Sequence, residues 1–536
     1  MRQHLAGMRR RMPGVRRPMA CMRRRMDWGR ITRLTMVALG LAGVAVPAHF
    51  QAAQAQAIAS ALAQEAPAAA LADAAEMRDG TLIRGLLQEG ADVDARQVDG
   101  MTALHWAVYH DDVDMAGLLV RSGANVNAEN RYGVPPLSTA STNGNATIVG
   151  LLLDAGADPN ETLEGGETIL MIAARTGSLE VVELLLAKDA DPNAVERRDQ
   201  TALMWAAAEG HTPVVETLID AGADLHAKLR SGFNPMFFAV REGHIEVALT
   251  LLEAGVDVNE VLRLQRERGT SPLLMAVRNG HFELAVALID AGADPNDQLT
   301  GFAPLHTMSW VRKPDASDLG NPAPIGSGNL SSLEFVRALV ALGADVNLRL
   351  EARAPRQPNS ASRLGSGGAT PFLLAADRAD AALMRLFLEL GADPFMPNLK
   401  GTTPMMAAAG LGTTAPEEEA GTELEVLEVT RLMLELGADV NTVNDENDTA
   451  MHGAAYGMFP AVINLLADNG ADPHIWKREN HRGWTPLFIA EGYRFGLPRP
   501  SRPTIEAITP LMVAAGISTE GPRPPVIDIY ARPQGR

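Results

Sequence analysis

The sequence predicts an all-α fold built from stacked helix–turn–helix units. Two recurrences, and the pattern inside one unit, predict it. Openings of the threonine–proline–leucine type begin at Thr102, Pro135, Thr168, Thr201, Asn234, Ser271, Ala303, Thr370, Thr403, Thr449 and Thr485, the first five at intervals of 33 residues. A closing Gly-Ala-Asp signature ends at Asp92, Asp158, Asp224, Asp294, Asp345, Asp393, Asp439 and Asp472, with variants ending at Asn125, Asp191 and Asp257. Self-similarity at such a period marks an array in which each unit buries its apolar face only against its neighbours.

The clearest unit runs from Thr201 to Phe233, TALMWAAAEGHTPVVETLIDAGADLHAKLRSGF. Thr201 opens a helix of small apolar residues (Ala202, Leu203, Ala206, Ala207), and Gly210 breaks it. Thr212 is the expected N-cap of a second helix and Pro213 its first-turn proline, because a threonine oxygen can satisfy a free helix N–H and proline has none. Val214, Val215, Leu218 and Ile219 give that helix an apolar face at helical spacing. Gly222 ends it, since glycine enters the left-handed region most easily. A polar loop, His226 to Ser231, leads out.

A 33-residue period of this pattern resembles the ankyrin repeat. The resemblance covers about residues 71–516, with eleven openings and an N-terminal unit, Leu71 to Asp99, that lacks the opening motif; about twelve repeats result. It implies a curved solenoid in which inner helices line a concave face, outer helices cover the back and β-turn or hairpin fingertips project along one edge. Layers about 10 Å apart give an array on the order of 100 Å long. Each repeat is then held by its neighbours, and a terminal unit needs a polar outer face. Asp73, Glu76, Arg78 and Asp79 supply one.

Residues 1–57 read as a secretory signal peptide. Eleven arginines and a single acid, Asp27, precede the apolar run Met36 to Val46. Ala53-Gln54-Ala55 and Ala55-Gln56-Ala57 then offer two A-x-A cleavage sites. The charged region is long, with Met22 and Met26 as alternative starts. The apolar run is short for a membrane span and closes on Pro47 and His49, so no span is expected after processing. Residues 58–70 read as a linker. The one cysteine, Cys21, falls in the leader, which leaves the mature chain without disulfide, thiolate metal site or cysteine nucleophile. Removing the 11 arginines and one aspartate of residues 1–57 from 47 basic and 65 acidic residues leaves 36 and 64, a net charge of −28. Such a body repels nucleic acid.

The period breaks in the second half. Marker glycines are 33 residues apart up to Gly255, then 37, 51, 48 and 46 apart, then 33 again. Segments 310–330, 411–422 and 495–503 fall between the inner and outer helices of their repeats, whereas 351–369 and the shorter 261–269 fall in fingertip connections. Insertions in repeat arrays map to loops and often to the binding face. Residues 517–536 form a proline-rich tail.

No catalytic constellation emerges, and neither a cofactor nor a metal is expected. His105, His306 and His452 hold the fourth place of the opening motif, where the resemblance implies bonds to neighbouring turns. His211, His244 and His281 follow the inter-helix glycine about one repeat apart, too far to share a metal. The aspartates of the closing signatures belong to separate helix-ending turns and form no calcium loop. The glycine-rich pieces lack the Lys-Ser/Thr of a phosphate loop.

Positive charge, by contrast, concentrates at the fingertips: Arg131, Arg197, Arg198, Lys228, Arg230, Arg263, Arg266, Arg268, Lys400, Lys477, Arg478 and Arg482. Inner helices add Arg175, Arg241 and Arg278, places the resembled family commonly uses for partner contact. Arginine offers a fork of donors to carboxylates. The expected function is a non-catalytic, monomeric protein-binding scaffold, exported and periplasmic, that meets an acidic protein partner through its concave face and basic tips. Two other readings stay open: an enzyme or small-ligand binder with a site built by the inserts around Trp310, Arg312 and Lys313, and a secreted effector.

Overall fold

The computed structural model describes residues 69–263, 269–315, 322–357, 362–416, 421–494, 499–520 and 523. All lie in the compact unit that starts at Ala69. The expected leader, most of the linker, Arg266 and Arg268 lie outside the described residues.

Among the described residues, twenty-four helices form twelve consecutive pairs, from Ala70–Glu76 with Gly80–Gln88 to Pro486–Ala490 with Arg502–Ala514. Each inner helix packs on the inner helix of the next pair, and contact is closer in this row than in the outer row. The inner helices are rich in buried alanine, such as Ala202, Ala206 and Ala207, and small side chains let neighbouring axes approach. No strand occurs among the described residues; two isolated bridges, Thr162 with Thr168 and Leu262 with Thr270, close loops. The fold is the all-α solenoid that the sequence predicts.

The Thr201 unit shows why the chain folds this way. The Thr201 hydroxyl accepts the Met204 N–H at 3.3 Å and starts helix Ala202–Glu209. Gly210, at φ +82°, ends it. Thr212 is not the N-cap of the next helix, as expected, but its first residue; His211 precedes it and makes no side-chain cap. The His211 ring turns back instead, and its Nε2–H donates to the Arg175 carbonyl of the preceding pair at 3.1 Å. His244 reaches the Ala208 carbonyl at 3.1 Å and His281 the Arg241 carbonyl at 3.0 Å in the same way. Each ring lies against the glycine of the pair before it. A Cβ on Gly177, Gly210 or Gly243 would meet that ring at 2.4–2.5 Å.

A second tie runs along the loops. Asn160 donates from Nδ2 to the Asp189 carbonyl and accepts the Asp191 N–H, at 3.0 and 2.8 Å. Asn127, Asn193, Asn296, Asn347 and Asn441 repeat this two-bond rung to the following unit. The signature aspartates accept a local N–H, as Asp158 does from Asn160 at 2.8 Å. They brace the turn, as the sequence reading holds.

The structure shifts two boundaries and adds one element. Helix Pro304–Arg312 runs through Trp310, so that insert starts at residue 313 rather than 310. Helix Arg502–Ala514 begins within the expected 495–503 insert, with Pro503 in its first turn. A one-turn helix, Pro473–Trp476, forms where Asp472 accepts the His474 N–H.

Gly222 and Gly210 share the left-handed conformation, but a Cβ on Gly222 meets nothing within 4 Å. Gly222→Ala should therefore cost only the backbone strain, about 1 kcal/mol. Gly210→Ala should cost about 2–4 kcal/mol, because the His244 ring must also move. Urea unfolding of both variants measures the difference.

Candidate partner-binding surface

Where no insert intervenes, most fingertips are five-residue turns closed by a hydrogen bond from the first N–H to the fifth carbonyl; the lengthened connections close instead between Leu262 and Thr270 and between Leu350 and Ala369. Examples are Glu196 to Gln200 at 3.1 Å, Leu229 to Phe233 at 2.8 Å and Asn480 to Trp484 at 3.0 Å. The fourth residue takes positive φ. It is glycine at 100, 133, 166, 232, 401 and 483, and Asp199 or Asn447 in two other tips, residues whose short polar side chains tolerate that region. Adjacent tips are stitched by the backbone. The second N–H of one donates to the third carbonyl of the tip before: Arg131 to Asp99 at 2.8 Å, Arg197 to Gly165 at 3.4 Å, Asp445 to Lys400 at 3.0 Å and His481 to Glu446 at 2.9 Å. This fixes where tip side chains stand.

The predicted basic residues divide into three groups. Arg131, Arg197 and Arg198 are exposed and make no ion pair among the described residues. Lys228 pairs with Glu260 at 2.6 Å, and Arg230, 90% exposed, with Asp199 at 3.3 Å; Lys400 pairs with Glu446 at 2.5 Å. Exposed pairs of this kind contribute little and exchange partners easily. On the inner helices, Arg175 lies over the Trp205 ring, 5.4 Å from its centroid, with Glu167 at 3.6 Å. Arg241 lies over Phe238 at 5.0 Å and Phe233 at 5.5 Å, with Glu242 at 2.9 Å. Each of these guanidinium groups is thus held within the chain by an aromatic ring and a carboxylate. Arg278 is exposed.

Trp310 departs from the expectation. It is only 9% exposed and packs edge-on against Phe302 with ring centroids 4.8 Å apart, so it is core and not a contact residue. The cations beside it are also engaged within the chain. Arg312 donates to Asp380 at 2.8 Å, and Lys313 to Glu425 at 2.7 Å and the Ala379 carbonyl at 3.0 Å. Arg378, 1% exposed, pairs with Asp315 and donates twice to Gln357 Oε1, at 3.0 and 2.9 Å. The inserts meet one another too: the Arg363 N–H donates to the Gly412 carbonyl at 2.8 Å, and Arg494 to the Thr414 carbonyl at 3.2 Å. A void beside Asp377, Thr413 and Phe459 measures about 10 Å³, room for roughly one water. Ser327 folds back to donate its N–H to His281 Nδ1 at 3.1 Å.

Two of the three motif histidines bond forward, as the resemblance implies; the third, His452, meets the Thr449 hydroxyl through Nδ1 at 3.0 Å, and its Nε2 has no partner among the described residues. His105 Nε2–H donates to the Val134 carbonyl at 3.1 Å, and its Nδ1 meets the Thr102 hydroxyl at 2.8 Å. His306 reaches the Ala369 carbonyl at 3.2 Å, but its unit opens on Ala303, which has no hydroxyl, and Nδ1 has no partner among the described residues. Burial holds the His306 and His452 imidazoles down at about 4.

One cluster escaped the sequence reading. Glu446, Asp448 and His481 bring ligand-type atoms within 4.8 Å of one another. Asp448 is 4% exposed, and burial pushes its carboxyl up to about 6. The sequence carried no direct signal of it, since Asp448 is the fifth residue of its tip and His481 the second of the next, and only the tip-to-tip register brings them together.

The fold and its stitched tips define a helical repeat solenoid. Family models of ankyrin repeats match residues 71–163, 143–228 and 170–262, and a further ankyrin-repeat model matches 240–289. A stretch of 113 residues is 33% identical to an ankyrin repeat protein of Acanthamoeba polyphaga mimivirus and covers 19% of this chain and 19% of that protein. The match thus spans about a fifth of the relative's length. The chain carries ankyrin repeats, which generally mediate protein–protein interaction.

The low pKa of His306 sets a pH dependence. A histidine held below its ordinary 6.5 contributes stability above that value and loses it as pH falls toward 4. His306→Leu, copying Leu274 at the same place of another unit, should lower stability near pH 7 by about 1 kcal/mol through the lost bond to Ala369. It should also flatten the fall between pH 6.5 and 4, read from urea midpoints across that range.

Proposed function

We propose that this protein is a non-catalytic, monomeric binding scaffold that holds an acidic protein partner along its basic tips and inner helices. The observation that carries this reading is the row of guanidinium groups at Arg131, Arg197 and Arg198, exposed and without ion pairs among the described residues, on a mature body of net charge −28. Isolated positive groups on an acidic body steer an acidic partner to one edge and repel it elsewhere. Arg175 and Arg241, each over an aromatic ring and next to a carboxylate, would continue the surface onto the inner helices, and Lys228, Arg230 and Arg278 would add further positive charge. An insert-built ligand site is less well supported, because the polar groups of Arg312, Lys313, Asp315 and Arg378 are engaged with one another and with neighbouring repeats. Nucleic acid is not a fitting partner for so acidic a body.

The partner is sought by affinity capture with the full chain from the envelope fraction, followed by mass spectrometry. Arg131→Glu, Arg197→Glu and Arg198→Glu combined should weaken capture at least tenfold at low salt and leave the thermal midpoint unchanged. Equal capture by both proteins would sink the reading. Arg241 is left in place, since reversing it also removes packing on Phe233 and Phe238.

The export reading rests on the charged region, apolar run and A-x-A sites of residues 1–57. It places the mature chain in the periplasm. Intact mass of the protein recovered from periplasmic extract should correspond to a start at Gln56 or Ile58; a full-length mass recovered with the cytoplasm contradicts it.

A further inference from the structure

The tip-to-tip stitch sets a rule for side chains: the second residue of one tip stands beside the third residue of the tip before. At two joints one of the two residues is a glycine, Arg197 with Gly165 and Leu399 with Gly367, and at two others a cationic residue meets an acidic one, Arg131 with Asp99 and Asp445 with Lys400. At the joint between the last two tips it brings His481 to Glu446, and the buried Asp448 closes the preceding turn two residues on. We propose that Glu446, Asp448 and His481 form a binding site for a divalent transition-metal cation such as Zn²⁺, bridging the last two repeats.

Three features fit the chemistry. One imidazole and two carboxylates are a donor set that zinc accepts, with oxygen and nitrogen ligands near 2.0–2.2 Å and a remaining position for water. The ligand atoms already lie within 4.8 Å of one another. Closing on an ion needs only shifts of about 1 Å, which the exposed His481 and half-buried Glu446 side chains can make. Asp448 is the fixed ligand, and its surroundings orient it. Asn480 Nδ2–H donates to Asp448 Oδ1 at 2.8 Å and lies 3.0 Å from the Tyr456 hydroxyl, while Asn480 Oδ1 accepts the N–H groups of Arg482 at 3.0 Å and Trp484 at 3.2 Å. The Asn480 Oδ1 bonds recur in the tips of Asn130, Asn398 and Asn444 and belong to the turn; only the Nδ2 bond to Asp448 orients the carboxylate.

Two cations lie near the cluster and compete with a metal ion. Lys400 pairs with Glu446 at 2.5 Å, and Arg482 lies over Trp484 at 5.8 Å. A metal ion must displace the Lys400 ammonium, an exchange at a partly exposed pair that little energy opposes. Lys400 is therefore expected to weaken the site, which gives a test with two signs.

Zinc chloride is titrated into the untagged full chain by calorimetry at pH 7, with thermal unfolding in parallel. Saturable binding of one ion per chain and a raised thermal midpoint are expected. His481→Ala and Asp448→Asn should each weaken binding at least tenfold, and Lys400→Met should strengthen it. His481 is exposed, so its removal leaves the fold intact and decides the matter even if Asp448→Asn folds poorly. Absence of saturable zinc binding, or binding unchanged in His481→Ala, overturns the proposal.

Discussion

No helix pair in this chain can bury its apolar face without a neighbour, and everything else follows from that constraint. Stability resides in the interfaces between consecutive units. Three kinds of contact make them: alanine-rich inner helices in close approach, histidine rings set against the preceding unit's glycines, and asparagine rungs along the loops. The first is non-directional and fills space. The other two are directional and fix the register, since each His–carbonyl bond and each two-bond rung is satisfied in only one alignment. Where the rung residue changes, as at His226 and Phe395, the joint loses this rung and depends on its other contacts, such as the His244–Ala208 bond at the first and the Arg385–Glu428 pair at the second.

The second half of the array shows how the same constraint accommodates irregularity. Inserts of different origin fold onto one another and onto neighbouring repeats. The buried Arg378–Asp315 pair, further satisfied through Gln357, is the strongest example. Such a pair is weak evidence for net stability but specifies one arrangement, since removing either partner strands a buried charge. The inserts are therefore part of the interface system. Ser327 makes the point in miniature, bonding a histidine that elsewhere in the series serves only the helix row.

Charge is organised by the same geometry. The first or fifth residues of the tips are often buried, as Phe233, Asn480 and Trp484 are, whereas the second and third stand out from the helical body, and the backbone stitch spaces them regularly. A strongly acidic chain can therefore display arginines in a row without neutralising them. The stitch also explains how residues one period apart become neighbours, which is the basis of the Glu446–Asp448–His481 cluster.

The sequence by itself determined the unit and its repetition. Thr201, Gly210 and Gly222 act locally, through capping and left-handed backbone, and local chemistry is readable from local sequence. It also located the inserts and the basic tips, because both are departures from a visible period. It misjudged Thr212 and Trp310 for a common reason. The direction taken by the His211 ring and the burial of Trp310 against Phe302 are decided by contacts with other segments. Which arginines are exposed without an ion pair, which inserts interlock, and which tip residues converge were likewise settled only by tertiary structure. Those outcomes depend on distances between units, and a period in the sequence states that units adjoin without stating which side chains meet.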